Sequence, residues 1–436
     1  MYSHVRCSTR GRVLTLVAVA ALVAVALTAL CAQCTDSSSA DSSASDVEPA
    51  TSGTTGECSW AYEDGRLVIS GVGDMADYSA SEPAPWSVYA DSVTCVVIGD
   101  GVTHVGAGAF RDCTNLTDLT FPASVNVISS AVCPAFAGCD SLRNVTVTVG
   151  DGTVFDYGIV RNADNWYFLT PWYLSENAQV SVVIADGVSA VGANMFRGCD
   201  SIVSVGFSDS VLVIRDNAFQ GCVNLQTPEF PANLQEIGAA AFVYCQCITC
   251  VDLPSTVTVI GECAFECCTA LERAVIPEGV TEIAGSTFYG CNALTYVSLP
   301  DGLLAVGDYA FTFCLSLQTV DIPDTVIYIG ECAFGRSGLT DVVIPDSVRF
   351  IEDAAFIDCF QLGFIHIGTG VAQMGLNVFL GVFYAADGVT PLTYLSDLWG
   401  HDFTGNYAAG YVMSDDFVEI SDFTDVTIYV DVRVSA

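Results

Sequence analysis

Apolar residues along most of this chain follow neither a pure helical nor a pure strand period, but a longer unit that mixes the two. Leu271, Leu294, Leu317, Leu339 and Leu362 open successive units spaced 23, 23, 22 and 23 residues apart, and Leu225 and Ile248 keep the step upstream. Within a unit the order is L-x-x-V-x-I-P-x-x-V-x-x-I-G-x-x-A-F-x-x-C-x-x. In LTYVSLPDGLLAVGDYAFTFCLS, the alternation of Val297 and Leu299 predicts a short strand with one face inward. Pro300 ends that strand, because proline has no N–H to give to a ladder. Leu303 and Val306 predict a second side and Gly307 a turn. Ala310, Phe311 and Cys314 predict a third, short helical or irregular side facing the core.

One such coil cannot enclose its own apolar residues, so it must stack on a neighbour, and the predicted fold class is a β-rich solenoid. Strands in such a stack lie about 4.8 Å apart, so equivalent residues form ladders. Phe110, Phe136, Phe196, Phe219, Phe242, Phe265, Phe288, Phe311, Phe334, Phe356 and Phe379 are predicted to form one aromatic spine. Burial of each ring is worth on the order of 2–3 kcal/mol.

The runs of the form IPxxVxxIGxxAFxxC, such as Ile322, Pro323, Val326, Ile329, Gly330, Ala333 and Phe334, resemble the 23-residue leucine-rich repeats of the BspA type. The resemblance covers residues 93 to 382. WAYEDGRLVISGVGDMADY (60 to 78) is similar to the hairpin that often precedes such arrays, and FYAADGVTPLTYLSDLWGHDFTG (383 to 405) to a common closing segment. The resemblance implies an α/β leucine-rich repeat solenoid displayed on a cell surface, where it binds host proteins or other cells without catalysis.

The array is interrupted between about 148 and 178. PWSVYADSVTCVVIGDGVTHVGAGAFRDC aligns without gaps on PWYLSENAQVSVVIADGVSAVGANMFRGC, with Trp86 and Trp172 in equivalent places. The expected order is therefore a hairpin and Pro-Trp module at 57–92, a first array at 93–148, a second module at 149–178 and a main array at 179–382. A C-terminal cap at 383–436 completes it, with strands expected from the alternation Val426, Ile428, Val430 and Val432. The aromatic residues Trp166, Tyr167, Phe168, Trp172 and Tyr173 either plug the junction or protrude to contact a ligand.

Arg6, Arg10 and Arg12 precede an uncharged apolar run from Val13 to Leu30, which reads as an export signal over residues 1–32. Cleavage after Ala32, a lipid on Cys31 or Cys34, and retention as an anchor all fit this segment. Residues 33–56 are rich in Ser and Asp and are expected to form a stalk. The 436-residue chain carries 50 acidic side chains against 13 basic ones, all arginine, for a formal net charge of −37. Nucleic acid and anionic membranes are thereby excluded as partners, since both need a basic face.

Candidate chemistry is sparse. Cys113, Cys139, Cys199, Cys222, Cys245, Cys268, Cys291, Cys314 and Cys359 share one repeat position, with Ser337 in the remaining coil, and parallel rungs do not give disulfide geometry. A ladder of buried thiols acting as small hydrophobes is expected. Cys247, Cys250, Cys263 and Cys267 superficially resemble a zinc ribbon, but the repeat places the two pairs on different sides of the coil, so no metal is expected. Glu278, Asp301, Asp324 and Asp346 stack at the turn after the proline, where calcium or solvated turn carboxylates are the alternatives and the second is preferred. His4, His104, His366 and His401 are the only histidines, and no catalytic motif surrounds them, so neither an enzyme nor a cofactor is expected. Function is expected on the outward strand positions, including Tyr296, Asp321, Phe364 and His366, and at Trp166, Tyr167, Trp172 and Tyr173. The expected partner is a protein or glycan on host or neighbouring cells, with self-association as a structural surface layer the alternative.

Overall fold

The computed structural model describes residues 49–122, 125, 127–128, 134–148, 179–379, 411–413, 418–420 and 426–429. Within them the repeat closes into a parallel β-solenoid of about ten coils. The first side is built from strands that pair in sequence order: Cys95–Ile98, Asp118–Pro122, Asn144–Thr148, Val180–Ile184 and Ile202–Phe207. Cys250–Asp252, Arg273–Val275 and Tyr296–Ser298 continue it, as do Asp341–Ile344 and Phe364–Ile367. Their alternate residues, among them Val251, Ala274, Val297 and Val342, are buried. Two-residue strands such as Glu282–Ile283, Ala305–Val306 and Tyr328–Ile329 form the second side, again parallel and in register.

The third side contains no α-helix in the described coils. Most coils hold two residues in the left-handed region, for example Tyr309 (φ 58°) and Phe313 (φ 62°), which an α-helix does not tolerate. This geometry sends alternate N–H groups to the next coil. Tyr309 donates to the Glu331 carbonyl at 2.7 Å, Phe311 to Ala333 at 2.7 Å and Phe313 to Gly335 at 3.0 Å. Bonding between coils thus replaces bonding within a helix. Gly307 also differs from its expected role, because it lies before the turn and serves close approach. A Cβ there would stand 2.8 Å from the Ile283 carbonyl and 2.9 Å from the Gly285 nitrogen. Gly330 is tighter still, 2.4 Å from Asp308 Oδ1 and 2.6 Å from its nitrogen.

The phenylalanine spine forms as expected. Consecutive rings from Phe196 to Phe379 stack with centroids 5.2 to 5.8 Å apart, the closest to parallel being Phe242 on Phe265 at 2°. Beside it, the cysteine ladder does more than fill space. From Cys222 to Cys314, and at Cys139 and Cys359, the thiol donates to the phenylalanine carbonyl of the preceding coil: Cys139 to Phe110 at 3.1 Å, Cys245 to Phe219 at 3.2 Å, Cys359 to Phe334 at 3.0 Å. That carbonyl already accepts the N–H of its own coil's cysteine, as Phe242 does from Cys245 at 3.1 Å. The thiol therefore satisfies the second lone pair of a buried acceptor. Ser337 stands within the same ladder, its hydroxyl 3.3 Å from the Cys359 sulfur.

At the N-terminal end the spine is closed by tryptophan. The Trp86 ring stacks on Phe110 at 5.9 Å, and its indole N–H donates to the Ala109 carbonyl at 2.8 Å. Within the array the equivalent alanine carbonyl accepts a phenylalanine backbone N–H, as Ala135 does from Phe110 at 2.8 Å, so the indole stands in for a missing coil. Above it, Cys58–Glu63 and Arg66–Gly71 form the expected hairpin, and Arg66–Gly71 starts the parallel sheet by pairing with Cys95–Ile98. The first described strand lies inside the segment read as stalk, since Ser52–Thr55 pairs antiparallel with Cys58–Glu63. Thr55 is buried there, accepting the Tyr78 hydroxyl at 2.7 Å and the Ala76 N–H at 3.2 Å.

Asn144–Thr148 pairs directly with Val180–Ile184, Val145 opposite Val182, so the sheet runs unbroken past the interruption. Both edges of Val180–Ile184 are occupied, by Asn144–Thr148 and by Ile202–Phe207. The second module, expected at 149–178, lies outside the described residues. At the far end Val426–Tyr429 adds antiparallel to Phe364–Ile367, and Val418–Ile420 adds antiparallel to Gln373–Met374. The C-terminal strands therefore cover the last edges of both sheets, the edges most prone to pairing with another chain.

Three outcomes follow from this packing. Trp86→Phe keeps the ring but strands the Ala109 carbonyl, and is expected to cost about 1–3 kcal/mol; hydrogen exchange should accelerate in the first coils and not in the last. Gly330→Ala should lower stability by about 1–3 kcal/mol through overpacking, read from denaturant unfolding. Burial raises the thiols of Cys113 and Cys199 to about 12 and that of Cys359 to about 11, from 9.0 in the unfolded chain. The protonated thiol is thus favoured by folding, so this contribution is complete below pH 9 and is lost between pH 9 and about 12. A denaturant midpoint that stays flat across that window would contradict it.

Candidate interaction surface

From Cys250–Asp252 to Tyr296–Ser298 the outward residues of the first side form straight rows, because these strands pair without slippage. Cys250, Arg273 and Tyr296 stand in one row, and Asp252, Val275 and Ser298 in the next. Arg273 donates to Asp252 through Nη1 at 2.8 and 3.1 Å to its two oxygens. The same guanidinium lies 5.7 Å from the centre of the Tyr296 ring. Arg273 thereby ties together a carboxylate and an aromatic ring that the sequence separates, and leaves Tyr296 50% exposed. The pair is solvent-exposed and adds little to stability.

Farther along, Asp321 is exposed, and Val343 lies opposite the partly buried His366. Phe364 pairs with Asp341 on one side and Tyr429 on the other, while His366 faces Thr427 across the C-terminal strand. Tyr296 lies in one three-stranded sheet of the first side, Phe364 and His366 in another, and Asp321 between them outside any strand, so the four are spread over several coils. Trp166, Tyr167, Trp172 and Tyr173 lie outside the described residues. His104 belongs to the second side, opposite Val127, so it and His366 lie on different sheets.

The stacked turn acids bond across coils. The Asp346 carboxylate accepts the Thr369 N–H at 2.7 Å and its hydroxyl at 3.1 Å, bonds that hold its carboxyl below the usual range. Glu278 likewise accepts the Asp301 N–H at 3.2 Å. A second set does the same beside the second side: Asp216 accepts from Ala239 at 2.8 Å, Asp308 from Glu331 at 2.8 Å, and Asp353 from Leu376 at 2.6 Å. Among the described residues no group of three or more histidine, cysteine or acidic side chains is arranged to hold a metal ion.

The BspA-type leucine-rich repeat model matches residues 87–157, 173–295 and 260–384, in six copies and over more than half of the sequence. The chain belongs to this family. Among solved structures, a leucine-rich repeat protein from Bacteroides ovatus is 23% identical over 76% of this chain and 92% of its own, with a TM-score of 0.51. A leucine-rich cell surface protein from Faecalibacterium prausnitzii is 20% identical over 73% and 95%, at a TM-score of 0.28. The pneumococcal vaccine antigen PcpA is 16% identical over 68% and 82%, at 0.34. The first likeness supports the fold and nothing finer. No match was found among curated protein sequences.

Sequence reading placed the candidate residues of this BspA-type chain on the first side and in the 149–178 module, and missed apolar exposure on the second. Leu304, Ile327 and Phe350 are 46, 45 and 40% exposed there, against Thr258 and Thr281 at the position equivalent to Leu304. Comparing that one column from unit to unit would have found them. The run from Val13 to Leu30 lies outside the described residues, among which no helix is long and apolar enough to cross a membrane.

Proposed function

We propose that this chain is an exported protein displayed on the cell surface, where it binds a protein or glycan of a host or neighbouring cell without catalysing a reaction. The observation that carries this reading is the outer face of the sheets. Side chains of mixed chemistry stand there in fixed rows at coil spacing, on strands that neither a pocket nor a lid encloses. Such faces suit macromolecules that span several repeats. The N-terminal basic and apolar run supports export, and family membership agrees with surface display. The high negative charge disfavours self-association at low salt, where like charges repel over the Debye length.

Two measurements test the reading together. Antibody labelling of intact cells of the source should detect the protein without permeabilisation, and the purified full chain should be retained on host or neighbouring cells in a saturable manner. Detection only after permeabilisation would end the proposal of surface display. Failure to bind any cell, with assembly by light scattering at rising concentration, would favour the surface-layer alternative.

A further inference from the structure

The second side carries exposed apolar side chains beside carboxylates that, among the described residues, no arginine engages. Leu304 and Ile327 stack in one row, the Ile327 N–H bonding the Leu304 carbonyl at 2.9 Å. Ala305, Tyr328 and Phe350 form the adjacent row through strict register. Four large apolar or aromatic side chains thus share a strip two residues wide. Arg349 follows Ile327 in its row, but its guanidinium is held by the carbonyls of Asp346 at 2.8 Å and Gly370 at 2.8 Å. Along the margin of the strip run Asp308, Glu331 and Glu352. Asp308 Oδ1 is 3.5 Å from the Tyr328 hydroxyl, which fixes the margin against the strip. Burial and the neighbouring charges of Asp353, Asp308 and Glu331 push the Glu352 carboxyl up, so these acids repel one another. Among the described residues no arginine forms an ion pair with the three.

The other aromatic clusters differ in this respect. Beside Tyr296 the cation is already supplied by Arg273. On the turn side, Arg336 lies 5.3 Å from the centre of the Phe313 ring and pairs with Asp358 at 3.0 Å. Beside the strip on the second side, among the described residues, no arginine of the same chain pairs with the carboxylates of the margin. A second copy of this chain would bring no lysine and a net charge of −37, so it fits the margin poorly.

We propose that the strip of Leu304, Ile327, Tyr328 and Phe350, with its margin of Asp308, Glu331 and Glu352, docks a polypeptide segment of another protein that carries Lys or Arg beside aliphatic or aromatic side chains. The apolar residues of the segment cover the strip and its cations relieve the repulsion along the margin. This rests on the binding role proposed above and names the face and the chemistry of the partner. The charge component gives an affinity that falls with added salt.

The test uses the full chain and a synthetic peptide of alternating leucine and lysine, with affinity read by titration calorimetry. The Leu304→Ser/Ile327→Ser and Glu331→Gln/Glu352→Gln variants should each weaken binding by about tenfold or more. Glu63→Gln/Glu82→Gln, which removes the same charge elsewhere, should leave it within about twofold. Unchanged circular dichroism confirms that each variant is folded. Equal losses in the Glu63→Gln/Glu82→Gln control, or undiminished binding in the strip variants, would overturn the proposal, as would equal binding of a leucine and glutamate peptide. Cell binding measured in parallel separates the two readings: if it persists in the Leu304→Ser/Ile327→Ser variant, the protein is still a surface binder and this face is not its docking site.

Discussion

Stacking of each coil on its own copy is the constraint from which the other features follow. Parallel strands fix the rise at about 4.8 Å, and flat rings at that spacing must lie nearly parallel and slightly offset, as the spine does at 5.2 to 5.8 Å. A coil cannot tolerate atoms that widen the rise, and this explains glycine at Gly307 and Gly330 better than any turn does. It also explains the cysteine. The phenylalanine carbonyl points along the stack into a dry core, and the thiol is small enough to reach it without displacing the next ring. Serine can replace it, as at Ser337, while a larger donor would part the coils.

An array with identical neighbours has a problem only at its ends. The N-terminal end is closed by side-chain mimicry: Trp86 supplies both the flat ring and the N–H that a preceding phenylalanine would have given. A hairpin covers the sheet beyond it. The C-terminal end is closed by backbone, two strands running against the direction of the array. At the interruption the sheet passes from Val145 to Val182 by direct pairing.

The acidic surface divides into two kinds of carboxylate. Asp216, Asp308, Asp346 and Asp353 accept backbone N–H groups of the following coil, so they are part of the stacking and not free ornament. Others, including Glu331 and Glu352, add charge to the margins of the sheets.

The sequence by itself determined the period, the three-sided coil, the inward residues and the aromatic spine, because a residue that packs on its own copy must recur at a fixed step. Tyr296 and Asp321 were legible as outward for the same reason. Only the tertiary structure decided that Arg273 joins Asp252 to Tyr296, that Trp86 imitates a coil, that the thiols donate to carbonyls, and that Leu304 and Phe350 share a face. Each of these relations crosses from one coil to another. The periodic pattern says which residues face the neighbouring coil, but the rise, the register and the left-handed turns set which atoms meet there.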